Sequence, residues 1–428
     1  MQISYAEDYI TAVKFVFLFL ILIIADVSYA QNRCSINQIT NTTTGNSVAP
    51  SLNASGTFLA FSSDENLVNE NPEGNREIFL FDSTTNTITQ ITFETSGMSN
   101  VPFINADGSR IAYTFEEVLG NQQVFLYDAN TDSFTQITNG LDGDSNGRSI
   151  SGDGNLIGFV STADINSGNP ENNREAYFFN TNTNMITQIT STPTGMTDSL
   201  SISGNGLIIA LTSSANLVGN NPEGNFELFL YNVSTGTTTQ ITSFTTGDSF
   251  SAAINQDGTL IAFTSNANIN GLNPDGDFGI YLYDFITDTF TQIASFSSGT
   301  SELPAINATG TRIPFVSRAN INGRNPEGNR ELYYFDRIEN GITQITREPT
   351  GRSILPSINA DGGRIAFQSS ANINNGNQDE NFEIYLANCP VKSTASQIPT
   401  LSHWGLIAMA AILGIVGFMV IRRRKVTA

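Results

Sequence analysis

The amino-acid sequence predicts an all-β protein in which one four-stranded unit occurs seven times. Three observations carry that expectation. A Thr-Gln-Ile-Thr tetrapeptide, or a near copy, recurs with its Gln at 38, 90, 136, 188, 240, 292 and 344. A turn glycine recurs at 56, 108, 154, 206, 258, 310 and 362. A second glycine series runs 45, 97, 143, 195, 247, 299 and 351, and all three series share intervals of 52 residues with a single 46. Self-similarity held in register by three independent marks is the signature of a repeat architecture.

Each unit reads as four strands. Strand a is short, as in Pro356–Asn359, and is followed by the turn Ala360-Asp361-Gly362, where Gly supplies the positive φ of a tight hairpin. Strand b alternates apolar and polar residues, as in Arg364–Gln368. A long loop such as Asn320–Asn329 leads to an aromatic and aliphatic strand c, Glu331–Asp336, and a short turn to strand d, Ile342–Thr346. No helical period of useful length occurs over residues 34–391. Four-stranded units at this spacing predict a β-propeller. Six units are complete. The chain opens on a lone strand d (Ser35–Thr40) and ends on strands a, b and c (Pro356–Asn388), so the two ends make a seventh blade and leave no open edge.

The repeat, with Asn359-Ala-Asp-Gly362, Ile365-Ala-Phe367, Glu383-Ile-Tyr385 and Thr-Gln-Ile-Thr as its fixed points, resembles the TolB-like, WD-type propeller repeats of bacteria. The resemblance covers residues 34–391 and implies the propeller fold. It departs from TolB in lacking a separate domain ahead of the propeller, and from propeller-bearing serine peptidases in lacking a hydrolase domain behind it. The aromatic residues of strands b and c (Phe61, Phe79, Phe81, Phe159, Phe263, Tyr281, Tyr283, Tyr333, Phe367, Tyr385) are expected between the sheets as core.

The two cysteines fit the ring closure. When the last unit is aligned with blade 4, Cys389 falls on Val233 and Cys34 on Gly236, the two ends of a four-residue turn. Turn ends lie within about 7 Å, which a disulfide can span. The bond would replace the missing hairpin of blade 7, in a compartment that permits disulfides.

The chain ends read as addresses. Residues 1–30 are expected to be a secretory signal peptide, with an apolar run Phe15–Ala25 behind Lys14 and Ser28-Tyr29-Ala30 ahead of the cleavage point. A start at Val13 would remove the acidic Glu7-Asp8 from that signal. After the propeller (31–391) and a linker (392–397) come Ile398, Pro399, Thr400, Leu401, Ser402, His403, Trp404 and Gly405, an apolar stretch 406–421, and Arg422–Lys425. The stretch would form a transmembrane helix of about 24 Å with its basic end in the cytoplasm. Residues 398–425 resemble the IPTLxxWG-type carboxy-terminal sorting signals of Gram-negative bacteria. The resemblance implies recognition by an exosortase-type enzyme and at least transient anchoring in the membrane.

Composition narrows the chemistry. The propeller carries 13 Arg, no Lys and 37 acidic residues, so nucleic acid is not an expected partner. The one histidine, His403, lies in the tail, which removes histidine-based triads from the propeller. The b–c loops carry oxygen side chains at alternate positions: Asn71, Glu73, Asn75 and Glu77; Asn221, Glu223, Asn225 and Glu227; Asn273, Asp275 and Asp277; Asn325, Glu327, Asn329 and Glu331. Blade 2 is six residues shorter here. Such loops could ligate calcium. Turn-building by Asn-Pro and Gly-Asn, with Glu opening strand c, explains most of the same letters and is the favoured reading. The d–a loops, from Thr44-Gly45-Asn46-Ser47 to Thr350-Gly351-Arg352-Ser353, carry hydroxyls expected either at the mouth of the channel or bracing adjacent blades. Arg76, Arg174 and Arg330 read as solvated ion pairs. These features predict an exported, membrane- or surface-sorted propeller of the bacterial envelope that binds an envelope protein or polysaccharide without catalysing a reaction. Calcium-dependent adhesion and a carboxylate-based enzyme acting on polysaccharide or peptide are the alternatives.

Overall fold

The computed structural model describes residues 34–391 apart from 119, 141, 297 and 298. The expected signal peptide, the linker 392–397, the sorting motif and the helix 406–421 lie outside the described residues. Among those described, no helix is long and apolar enough to cross a membrane.

Seven four-stranded antiparallel sheets form the ring. Blade 1 comprises Ser47–Leu52, Phe58–Ser63, Glu77–Asp82 and Thr87–Gln90, and the other blades repeat that order. Blade 7 comprises Ser353–Ile358, Arg364–Ser369 and Glu383–Asn388, and the N-terminal strand Ser35–Gln38 completes it. That strand pairs antiparallel with strand c, from Ser35 opposite Asn388 to Gln38 opposite Tyr385. Cys34 and Cys389 are disulfide-bonded with Cα atoms 4.1 Å apart, at the corner where the other blades have a covalent hairpin.

Strand boundaries differ from the sequence expectation at two places, each for a local reason. Strand d is shorter, ending at Gln344 in blade 6 rather than at Thr346. Ile345 still donates to the Leu332 carbonyl (2.8 Å), but Thr346 uses its hydroxyl to accept the Leu332 N–H (2.9 Å), so the side chain replaces a rung of the ladder. Strand a starts three residues earlier, at Ser353 instead of Pro356 in blade 7, and reaches across a β-bulge. In blade 6 strand a shrinks to Ser301–Glu302. Pro314, at the strand b position held by Ala in most blades, has no N–H to offer it.

The core lies between blades. The strand b and c aromatics named above are buried. They meet in stacked cross-strand pairs such as Phe159–Tyr177 (5.4 Å between ring centroids) and Phe367–Tyr385 (5.5 Å). Residues of consecutive sheets then interleave: Ala210, Leu228 and Leu230 of blade 4 share one cluster with Ile254, Ile261 and Phe263 of blade 5.

Candidate functional site

The b–c loops are self-bonded. Asn71, Asn221, Asn273 and Asn325 are buried, and each donates its amide to the carbonyl four residues on, at 2.8 to 2.9 Å. Asn75 donates to Glu77 (2.7 Å) and to the carbonyls of Glu94 (2.8 Å) and Gly97 (3.2 Å), tying the b–c loop to the d–a loop beside it. Glu77 is buried and accepts from the Thr92 hydroxyl and the Glu94 N–H. Asn225 with Glu227 and Asn329 with Glu331 repeat the arrangement. Burial pushes the carboxyls of Glu77 and Glu227 above the usual range, and that of Glu331 up to about 7. Glu73, Glu223, Asp275 and Glu327 stand exposed at the loop tips, and Asp277 is half-buried. Among the described residues no cluster of three or more His, Cys, Asp or Glu could hold a metal ion. The oxygens that face inward without a partner are mostly amide ones, Oδ1 of Asn75, Asn221, Asn225, Asn325 and Asn329, with the carboxylate Oε2 of Glu227 beside them.

The d–a hydroxyls do not line the channel mouth. Ser47, Ser249, Ser301 and Ser353 are fully buried and bond to the strand b serine of their own blade, as Ser353 does to Ser369 at 2.9 Å. Neighbouring blades are braced instead by main chain, with the Ser353 N–H donating to the Arg330 carbonyl (2.8 Å). The loop arginines do pair: Arg76 with Asp64 (3.2 Å), Arg174 with Asp198 of the next blade (3.6 Å) and Arg330 with Glu302 (2.5 Å).

The channel has two unlike segments. At the a–b turns, main-chain hydrogen bonds run from each blade to the next: Ala54 to Ala106, Ala106 to Gly152, Gly152 to Gly204, Asn205 to Gln256, Gln256 to Ala308, Ala308 to Ala360 and Ala360 back to Ala54, at 2.9 to 3.3 Å. Leu52 and isoleucines at the matching position of the other six blades line this collar, around a space of about 170 Å³. Toward the d–a loops the channel is larger, about 330 Å³, and is walled by Pro50, Pro102, Leu200, Ala252, Pro304 and Pro356. The backbone here is bulged. Ala49, Val101, Ser251, Leu303 and Leu355, one repeat position in five blades, have φ between 49° and 54°. Non-glycine residues held there carry strain of about 1–3 kcal/mol each, and such strain collects at functional sites.

One residue of this wall escapes a reading of the repeat as consensus. Where the other blades have Pro, Leu or Ala, blade 3 has Arg148, the one charged side chain lining either segment. It is the unpaired residue of its bulge, between the Gly147–Phe159 and Ser149–Gly158 pairs.

The comparisons agree with this geometry. Residues 397–425 match the IPTL-CTERM motif, a carboxy-terminal sorting signal that places the chain among exported proteins associated with the membrane or cell surface. The sorting motif Ile398–Gly405 falls within that match. The described fold is similar to oligogalacturonate lyase from Vibrio parahaemolyticus (TM-score 0.57, 14% identity, 84% of this chain and 98% of that one). It is equally similar to the β-propeller domain of the Trilobed protease from Pyrococcus furiosus, described as having an open velcro topology (TM-score 0.56, 13% identity, 84% and 99%). TolB from Acinetobacter baumannii matches at a TM-score of 0.44 with 15% identity over 83% of this chain and 79% of that one. No curated protein sequence matches the chain. The protein is thus a seven-bladed β-propeller followed in sequence by an IPTL-CTERM motif.

Proposed function

We propose that the protein is a non-enzymatic binding propeller of the bacterial envelope, exported by its N-terminal signal and held at the membrane, at least until an exosortase-type enzyme acts, by the segment behind its sorting motif. The observation that carries this reading is the channel wall. Its larger segment is built of proline, alanine, leucine and serine around one arginine. Glycoside hydrolysis on a carboxylate pair needs two acids about 5–9 Å apart facing the substrate, and peptide hydrolysis a closer pair still; the wall residues supply neither. A rigid, mostly apolar recess with few polar groups suits recognition. Capture from envelope extracts on the full-length protein tests it: a specific protein partner is expected, and turnover of an envelope polysaccharide or peptide by the purified protein would refute it.

Calcium-dependent adhesion is the second reading, favoured by the buried, unpartnered amide oxygens of the b–c loops. With the oxygens of Glu77 and Glu331 already bonded to Thr, Asn and main chain, the remaining donors are neutral amides apart from Oε2 of Glu227. Affinity would then sit near the weak end for extracellular sites, about 1 mM. A rise in Tm at millimolar calcium, and loss of partner capture in chelator, are the results this reading requires.

A further inference from the structure

We propose that the larger channel segment binds a carboxylate carried on an apolar body, as at the free C-terminus of a peptide ending in apolar residues, with Arg148 as the anchor. The proposal rests on the reading of the protein as a binding propeller and gives that reading a ligand chemistry.

Four observations converge. First, Arg148 makes no hydrogen bond and no ion pair among the described residues. Its Nε is buried without a hydrogen-bond acceptor. It belongs to none of the ion pairs among the described residues, and the charges nearest it, Asp198 and Arg174, already pair with each other at 3.6 Å. A desolvated charge left unpaired is costly, yet it stands where six other blades place an apolar residue. Second, the bulge accounts for its direction. An extra residue in an inner strand re-aims its side chain, and here the extra residue is Arg148 itself. Third, the walls around it are stiff and apolar, with Pro50, Pro102, Pro304 and Pro356 contributing from four blades. Fourth, the repeat is broken twice at the same place. Blade 2, whose inner strand adjoins that of Arg148, is the blade with the b–c loop shortened by six residues.

The same wall argues against other anions. Three of the four channel hydroxyls already have a partner: Ser51 accepts the Ile104 N–H (3.1 Å), Ser357 accepts the Leu52 N–H (2.9 Å), and Ser199 bonds to Thr212 (2.9 Å), which leaves Ser251. Few groups remain to receive the hydroxyls of a sugar. The propeller's 13 arginines against 37 acids repel a polyanion, whereas one carboxylate in contact with one guanidinium is favoured locally. A space of about 330 Å³ accepts one or two residues end-on.

Calorimetric titration of the detergent-solubilised full chain with acetyl-Ala-Ala-Leu tests the proposal. The free acid is expected to bind, and its C-terminal amide to bind at least about tenfold more weakly, the scale of one charge-assisted hydrogen bond. Arg148→Leu, which installs the blade 4 residue, should weaken the acid by the same factor, leave the amide unchanged and not lower Tm. Equal binding of acid and amide, indifference to Arg148→Leu, no binding of the peptide, or Arg148-dependent binding of trigalacturonate in its place would each overturn it. Capture of an envelope partner that Arg148→Leu leaves intact would defeat this inference alone; absence of any captured partner would defeat the reading beneath it.

Discussion

The two ends of the central channel are built from the same seven strands and differ in how strictly they obey the repeat. The collar at the a–b turns has one main-chain hydrogen bond at every blade junction and a branched aliphatic side chain at every position of its ring. The segment toward the d–a loops has strained bulges in five blades, prolines in four, and an arginine in one. A feature repeated seven times answers to something all blades share, namely closure. A feature present once answers to something outside the ring. Symmetry in this protein marks architecture, and on the function proposed above its local failure at Arg148 marks recognition.

Breaking the closure is the largest test. Cys34→Ser opens the covalent ring at blade 7, where the strand Ser35–Gln38 and the hydrogen bonds of Ile39, Thr40 and Thr42 to strand c then hold the ends together. The disulfide closes a loop of 355 residues, so the chain-entropy model gives a loss of at least about 4 kcal/mol. Denaturant unfolding of the oxidised wild type against the variant measures it. The second test compares the two ends directly. Ile254→Ala in the collar removes a buried side chain from the cluster shared by blades 4 and 5 and should cost about 2–4 kcal/mol. Pro304→Ala in the opposite segment should cost under about 1 kcal/mol, because Ala252 already holds that position in blade 5. Equal losses at both ends would erase the distinction.

Acidity separates the two faces as well. No ionisable side chain lines the collar, whereas Glu331 sits buried at the loop face with its pKa pushed up to about 7 by desolvation. In the unfolded chain this carboxyl titrates near 4.5, so the folded state holds the proton more tightly. The stability contributed by this group is therefore fully present below the unfolded pKa and is lost as pH rises from about 4.5 to about 7. The loss from this group is on the order of 2–3 kcal/mol. Glu331→Gln should flatten that part of the stability profile; an unchanged slope would mean that another group carries it.

Most of the ring was legible because spacing alone encodes it. The blade count, the split seventh blade and the Cys34–Cys389 bond follow from aligning units, since a turn position in one blade predicts the turn position in another. The hydroxyls of Ser47 to Ser353 were misplaced because strand a begins inside the supposed d–a loop, which turns a rim residue into a buried one. Nothing in the letters of Leu303 or Leu355 announces a left-handed backbone, which residues of that type avoid; tertiary pairing with strand b imposes it. Arg148 could have been found. Reading one column of the repeat gives Pro50, Pro102, Arg148, Leu200, Ala252, Pro304 and Pro356, and the exception is plain once the column is read for its outlier rather than its consensus.

The smallest predicted effect bears on the bulges themselves. Leu355 lies at φ 53° with its side chain 38% exposed, so Leu355→Gly also gives up the burial of the covered part, a loss that Leu355→Ala nearly shares. Relief of the left-handed conformation is worth about 1–2 kcal/mol, against about 0.5–1 kcal/mol for the added freedom of the unfolded chain. A net gain over Leu355→Ala of up to about 1 kcal/mol is expected by these two terms. Leu355→Ala removes nearly the same side chain but keeps the strain, so the difference between the two variants isolates the backbone contribution. Blade 3 supplies the reversed control. Gly147, at the matching position, is absent from the residues with positive φ, and a Cβ there would meet nothing nearer than the Thr114 hydroxyl at 3.6 Å. Gly147→Ala should stabilise by about 0.4–1 kcal/mol through the unfolded chain. Leu355→Gly more stable than Leu355→Ala, together with a gain for Gly147→Ala, read from denaturant midpoints, would show that the bulge carrying Arg148 is relaxed while the one in blade 7 is held under strain. Leu355→Gly no more stable than Leu355→Ala would mean that the strain seen in the backbone angles has no energetic counterpart, and the channel wall would then be uniform around its circumference in everything but charge.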